Sequence, residues 1–212
     1  MANFVNTNVY FAQISDAGKE VFREILSRVR ESMDSSDSRL FADIFVDGQE
    51  GSPSYEETET TEFTCANVGP KWCHLEYFED YDGESFRTVS AWSWPQLGVE
   101  WLFSRIGEVD PDFIGVASFE DESPLFIGAA VYNANGMYDY YEEEYEDLMD
   151  IMKERFEELK QYWNEEENCF EEAGNDLMYE HMYDVISELQ LEFIEDCLEE
   201  IRDAREDEAA IV

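Results

Sequence analysis

"VNTNVYFAQISDAGKEVFREIL" (residues 5–26) changes its period midway. Val5, Thr7, Val9 and Phe11 alternate, which places them on one face of a half-buried strand. Ser15 then stands where a helix N-cap is wanted. From Asp16 to about Met33, Val21, Phe22, Ile25, Leu26 and Val29 recur at helical spacing. Arg23, Arg28 and Arg30 gather toward the end, where the helix dipole favours cations. A strand that hands over to an amphipathic helix is the opening of an α/β unit, and the rest of the chain is read from it.

"RLFADIFVD" (39–47) reads as a second strand, and "GQEGSPSYEETETTE" (48–62) as an aperiodic, flexible loop. "WCHLEYF" (72–78) and "FRTVSAW" (86–92) read as strands around an Asp82-Gly83 turn. "SWPQLGVEWLFSRIG" (93–107) reads as a helix with Ser93 as cap, Pro95 in its first turn, a core face of Leu102, Phe103 and Ile106, and Gly107 at its end. "DFIGVASFE" and "LFIGAAVYN" are two further strands, joined by "DESP" as a hairpin loop. Residues 1–135 therefore predict an α+β domain, helices on one face of an antiparallel sheet.

After Gly136 the pattern becomes helical. Tyr141, Tyr145, Leu148, Met152, Phe156, Leu159 and Trp163 form one stripe. "NEEENCFEEAGN" (164–175) interrupts it, and Met182, Ile186, Leu189, Phe193, Cys197 and Ile201 form a second. Residues 136–212 thus predict an acidic helical hairpin.

Composition narrows the function classes. The 212 residues carry 53 acids and 13 bases, a formal net charge of −40, with 44% apolar and 15% aromatic residues. The apolar content supports a core. The charge repels nucleic acid and anionic membranes and selects cations or basic protein surfaces. No long apolar run predicts a membrane span. "MANFVNTNVYF" lacks the basic flank and apolar centre of a signal peptide. Cys65, Cys73, Cys169 and Cys197 read as reduced thiols of a cytoplasmic protein.

"NVGPKWCHLEYF" (67–78) resembles an Asn-Trp-Gly-Thr-Lys-Trp motif, and "SAWSWPQLGVEWL" (90–102) a Thr-Ala-Trp-Ser-Pro-Pro segment leading into a helix. Both are features of the Api92-like family of phage and prophage proteins. "DESPLFIGAAVY" is similar to a later part of that family, so the resemblance spans about residues 67–132. Val68 and Trp94 depart from the pattern, where the family has Trp and Pro. The resemblance implies a phage origin and a ferredoxin-like domain, and it transfers no catalytic residues.

Specific chemistry is sparse. Cys65, Cys73 and His74 lie close in sequence, but the cysteine spacing is wrong for zinc and adjacent strand residues face opposite ways. "EDYDGES" has the look of a calcium loop, yet with Gly83 at its sixth position the first and last ligands fall on Phe78 and Val89. His74 and His181 are the only histidines, and no nucleophile elbow, phosphate loop or metalloprotease motif is present. No enzyme activity, cofactor or metal is expected. Trp72, Trp92 and Trp101 are assigned to the core.

The acids remain. From residue 139 onward there are 28 acids and 5 bases, a net of −23. On helices that is about one carboxylate per 4 Å, close to the ~3.4 Å per phosphate of a DNA strand. Glu142, Glu143, Glu144, Asp147, Asp150, Glu154, Glu157, Glu158, Glu165, Glu166, Glu188, Glu192, Glu195 and Glu199 are the candidate partner-binding surface. Tyr138, Tyr140 and Tyr141 beside them offer rings to Arg or Lys. The expectation is a phage-encoded DNA-mimic inhibitor acting in the host cytoplasm. It binds a basic nucleic-acid-binding host protein of defence, repair or nucleoid function, and neither nucleic acid nor membrane directly. The alternative is a non-enzymatic assembly or virion-associated protein that forms a homodimer or larger oligomer through the hairpin seams. A third class, an enzyme with a tryptophan-lined pocket, has no motif behind it.

Overall fold

The computed structural model describes residues 3–29, 39–76, 85–122, 125–164 and 169–211. Strand β1 (Phe4–Gln13) is central to a seven-stranded sheet. Its alternation is realised, with Val5, Thr7 and Val9 fully buried. On one side it pairs antiparallel with β4 (Ser85–Ala91), Val5 opposite Ser90 and Val9 opposite Phe86. On the other it pairs antiparallel with β5 (Ile114–Asp121), Val5 opposite Asp121 and Val9 opposite Ala117. Adding β2 (Arg39–Leu40), β3 (Cys73–Glu76), β6 (Phe126–Asn133) and β7 (Gly136–Glu144), the order is β2-β3-β4-β1-β5-β6-β7.

Helix α1 (Asp16–Leu26) follows β1, and helix α4 (Gln96–Gly107) joins β4 to β5. The path β1-α1-β3-β4-α4-β5 with spatial order β3-β4-β1-β5 is the split βαβ arrangement of ferredoxin-like domains. The two helices pack on each other, as elements on one face must. Phe22 of α1 and Leu102, Phe103 and Ile106 of α4 are buried. Phe11 of β1 meets Phe22 and Phe103 at ring separations of 5.0 and 5.5 Å. Each such burial contributes about 1.5–3 kcal/mol.

Ser15 caps α1 as expected, its Oγ accepting the Gly18 amide at 3.2 Å. The helix is shorter than its periodicity suggests. After Leu26 the ladder tightens, with Arg28 N–H donating to Ile25 and Val29 N–H to Leu26, and a one-turn contraction of that kind ends a helix. Residues 30–33 of the expected helix lie outside the described residues, as do the Asp82-Gly83 turn and part of the "DESP" loop.

Four expectations are corrected. Residues 39–47 form only a two-residue strand, then a 3₁₀ turn over Phe41–Phe45. Phe41, Ala42, Asp43 and Ile44 are buried in succession, which a strand with one solvated face does not permit. Residues 48–62 are not all loop: α2 (Tyr55–Thr58) and α3 (Thr61–Asn67) begin within them. Ser54 and Glu57 form a reciprocal capping box, Thr60 caps α3, and Thr58 Oγ1 donates to buried Asp43 at 2.7 Å. The tryptophan assignment also changes. Trp92 is 53% exposed, with a left-handed backbone (φ +67°) that costs about 1–3 kcal/mol, and Lys71 Nζ sits 5.3 Å from its ring. Trp72 and Trp101 are half-buried, and it is Trp94 that stacks inside, 4.9 Å from Phe119. Ser93 does not cap α4; Pro95 occupies that position.

The chain forms two compact units, one of residues 1–123 and 130–140, the other of 124–129 and 141–212. The expected boundary at 135/136 falls in the β6–β7 turn, where Asn133 Oδ1 accepts the Asn135 amide at 2.8 Å and Gly136 takes φ +113°. That turn makes a hairpin, so residues 136–144 continue as strand where a helix was expected from 139.

The second unit has α5 (Tyr145–Arg155), a 3₁₀ turn over Glu157–Tyr162, the two-residue strands β8 (Trp163–Asn164) and β9 (Cys169–Phe170), and α6 (Asn175–Ile211). The apolar stripe predicted as one helix is thus shared among four elements. Phe156 breaks it by turning extended and laying its ring on His181, 4.0 Å away. Leu148, Met152, Leu159 and Trp163 are nonetheless buried together with Ile127, Phe170, Met178, Met182, Val185 and Ile186. In place of a plain αα-hairpin, the helices are joined by a folded connection that completes this core.

Candidate acidic interface

On α6 the separation of faces is clear. Ile186, Ile194, Cys197 and Ile201 are buried, and Glu188, Glu192, Glu195 and Glu199 are exposed on the opposite side. At 1.5 Å per residue those four span ~16 Å, a carboxylate about every 5.5 Å along one line. The 37-residue helix holds 13 acids and 2 bases. Over its ~55 Å that is an acid about every 4 Å.

On α5, Asp147, Asp150 and Glu154 are exposed and lie three and four residues apart, on one side. Arg155 Nη1 reaches Glu188 Oε2 at 2.7 Å, so an exposed ion pair ties α5 to the α6 stripe. Glu157 and Glu158 are exposed on the 3₁₀ turn. Glu157 pairs with Lys160, and Glu158 Oε1 lies 3.4 Å from His181 Nε2.

On β7 the strand sends neighbouring residues to opposite faces. Glu142 and Glu144 are exposed, and Glu143 is half-buried beside Tyr141. Burial first, then the charge of Asp147 and a hydrogen bond to it, raise the Glu143 carboxyl above the usual range. Tyr141 stacks on Phe193 of α6, centroids 5.5 Å apart. Its phenol is pushed up to about 12, by burial first and then by Glu143, with Glu192 and Asp147 adding to the rise and Arg155 opposing it.

The structure therefore brings Glu143, Asp147, Glu188 and Glu192 together around Tyr141 and Arg155. Glu142, Glu144, Asp150, Glu154, Glu157, Glu158, Glu195 and Glu199 are also exposed, and Glu165 and Glu166 lie outside the described residues. Sequence reasoning missed Arg155 and Phe193 as organisers. An arginine inside an acidic run was the available signal.

Cys65 is exposed on α3, and Cys73 is buried on β3 with its thiol pushed far up by burial. His74 points to the other face of β3, where burial holds its imidazole below the usual value. Among the described residues no three His, Cys, Asp or Glu side chains converge as a metal site would require. Among them, too, no helix is long and apolar enough to cross a membrane. Comparison with known protein families, curated proteins and solved structures finds no match to this chain.

Proposed function

We propose that the chain is a DNA-mimic inhibitor, its acidic second unit occupying the nucleic-acid groove of a basic protein. The carrying observation is the exposed line Glu188, Glu192, Glu195, Glu199, held rigid by a helix whose far side is buried. Carboxylates on a fixed rod, an acid about every 4 Å of α6 when all its faces are counted, against ~3.4 Å per phosphate of a DNA strand, release counterions from a basic groove as DNA does. The resemblance of residues 67–132 to Api92-like phage proteins supports a host target in defence, repair or chromosome organisation, met in the host cytoplasm.

The test is capture of host nucleic-acid-binding proteins on the immobilised chain, with duplex DNA as competitor and a salt series. Binding should be displaced by DNA and fall steeply with salt. The fourfold variant Glu188→Gln, Glu192→Gln, Glu195→Gln, Glu199→Gln should lose capture while keeping its thermal transition. Undiminished capture by that variant ends the proposal.

One observation favours self-association instead. Tyr179, Tyr183 and Leu191 on α6 are 50%, 58% and 53% exposed, an apolar presence on an otherwise charged helix. Concentration-dependent sedimentation lost in Tyr179→Ser, Tyr183→Ser supports that reading.

A further inference from the structure

The first unit holds an open cleft of about 390 Å³ between α4 and the β6–β7 turn, walled chiefly by Glu100, Phe103, Tyr132, Asn133, Asn135 and Met137. Tyr132 ends an apolar strand and is only 1% exposed. Its Oη is buried and has no hydrogen-bond partner among the described residues. A phenol left so costs about 1–3 kcal/mol that phenylalanine would not, and an unsatisfied buried group of this kind marks a place for a ligand or water. Burial, then the charge of Glu100, holds the phenol well above its ordinary value, so it is neutral and able both to donate and to accept.

The other polar groups of the wall are partly committed. Ser104 Oγ donates to the Trp101 carbonyl at 2.7 Å, and Asn133 Oδ1 accepts from the Asn135 amide. Glu100 is half-buried, and its Oε1 accepts Gln96 Nε2 at 2.9 Å, which leaves a carboxylate with further acceptor capacity. The Phe103 ring, 5.0 Å from that of Tyr132, and Met137 supply apolar wall. Among the described residues no lysine or arginine lines the cleft, so its lining favours a cation over an anion.

We infer that this cleft binds a small organic cation, an alkylammonium or alkylguanidinium whose head donates to Glu100 and Tyr132 and whose stem lies along Phe103 and Met137. A net charge of −40 raises the local concentration of any such cation. The Glu100 carboxylate and the neutral Tyr132 phenol select for donors, and the apolar wall selects against bare metal ions. The site is separate from the acidic line on α6, and the proposal does not depend on the function assigned to that line.

The probes are butylammonium and butylguanidinium, with butylurea as the neutral isostere, read by the Met137 methyl resonance at physiological salt. The cations should give a saturable shift, and butylurea should bind about tenfold more weakly or worse. Glu100→Gln should weaken the cations by a similar factor. Tyr132→Phe should weaken them a few-fold while the ligand-free protein melts no lower than the parent. Glu199→Gln, on α6, should leave binding of the cations to this cleft unchanged. The inference is overturned by any of three results: no saturable shift, butylurea binding as well as the cations, or Glu199→Gln weakening binding as much as Glu100→Gln. The last would mean diffuse counterion attraction. If Glu100→Gln does not fold, the butylurea comparison and Tyr132→Phe decide.

Discussion

The carboxyl of Glu143, at the end of β7, has the carboxyl of Asp147, in the first turn of α5, as its neighbour, and burial together with that neighbour raises it above the usual range. Beside another acid, and partly withdrawn from water, the Glu143 carboxyl is favoured in its protonated form. The folded-state value of Glu143 is raised above the unfolded one. Its contribution to stability therefore grows as pH falls toward the carboxylate range and is lost as pH rises through the raised value. Glu143→Gln should raise the Tm at pH 7 and leave it unchanged near pH 4. Most of Glu143 is solvent-screened, so the gain is below about 1 kcal/mol. Equal shifts at both pH values in a melting series would contradict a raised Glu143 carboxyl.

Asp110 and Ser15 join distant parts of the first unit. The Ser15 amide donates to Asp110 Oδ2 at 2.6 Å, and Asp110 is only 5% exposed. Asp110→Ala leaves a helix-start amide without its partner and should cost about 1–3 kcal/mol in urea unfolding. Asp110→Asn keeps an acceptor and should recover much of that loss.

Gly115 permits a close approach of the Phe103 ring to the sheet of the first unit. A Cβ there would come 2.6 Å from Phe103 Cζ. Gly115→Ala should destabilise by about 1–3 kcal/mol through overpacking. A second substitution, Phe103→Leu, should return part of the loss, so that the pair is less harmful than the sum of the singles. Strict additivity would point to a cause other than this contact.

The thiols should divide by burial. Cys65 is exposed, and Cys73 and Cys197 are buried. A maleimide added to native protein should label Cys65 quickly and reach Cys73 and Cys197 only in denaturant. Rapid native labelling of Cys73 would mean that β3 opens far more readily than its place in the sheet allows.

The ferredoxin-like core was legible because its signals are local and mutually consistent. Val5, Thr7 and Val9 alternate, and Leu102, Phe103 and Ile106 recur at helical spacing. The Ser54-to-Glu57 capping box was equally readable but was hidden inside a segment judged by its Gly, Ser and Pro content. Residues 139–144 misled for a different reason. Tyr141 and Tyr145 fit a helical stripe, yet the Asn-Gly turn at 135–136 commits the chain to a hairpin before any helix can start. Trp92 and Trp94 have the same residue type and opposite fates, because a left-handed residue just after β4 redirects the chain. For the acidic surface, the exposed line on α6 followed from spacing alone. The convergence of Glu143, Asp147 and Glu192 on Tyr141 required a strand and two helices to meet, and no local pattern encodes that.

The polypeptide enters the second unit at Pro124, returns to the first at Ala130, and leaves it again after Tyr140. Ile127, contributed by the first of these passages, sits in the core that Leu148, Met182 and Ile186 build much later in the chain. A gene fragment starting at codon 141 would encode the two acidic helices with a hole in their packing, and one stopping at codon 140 would leave Ile127 bare. Recombination between genomes has no single breakpoint at which to swap one part for another, so scaffold and charge must be inherited as one cassette.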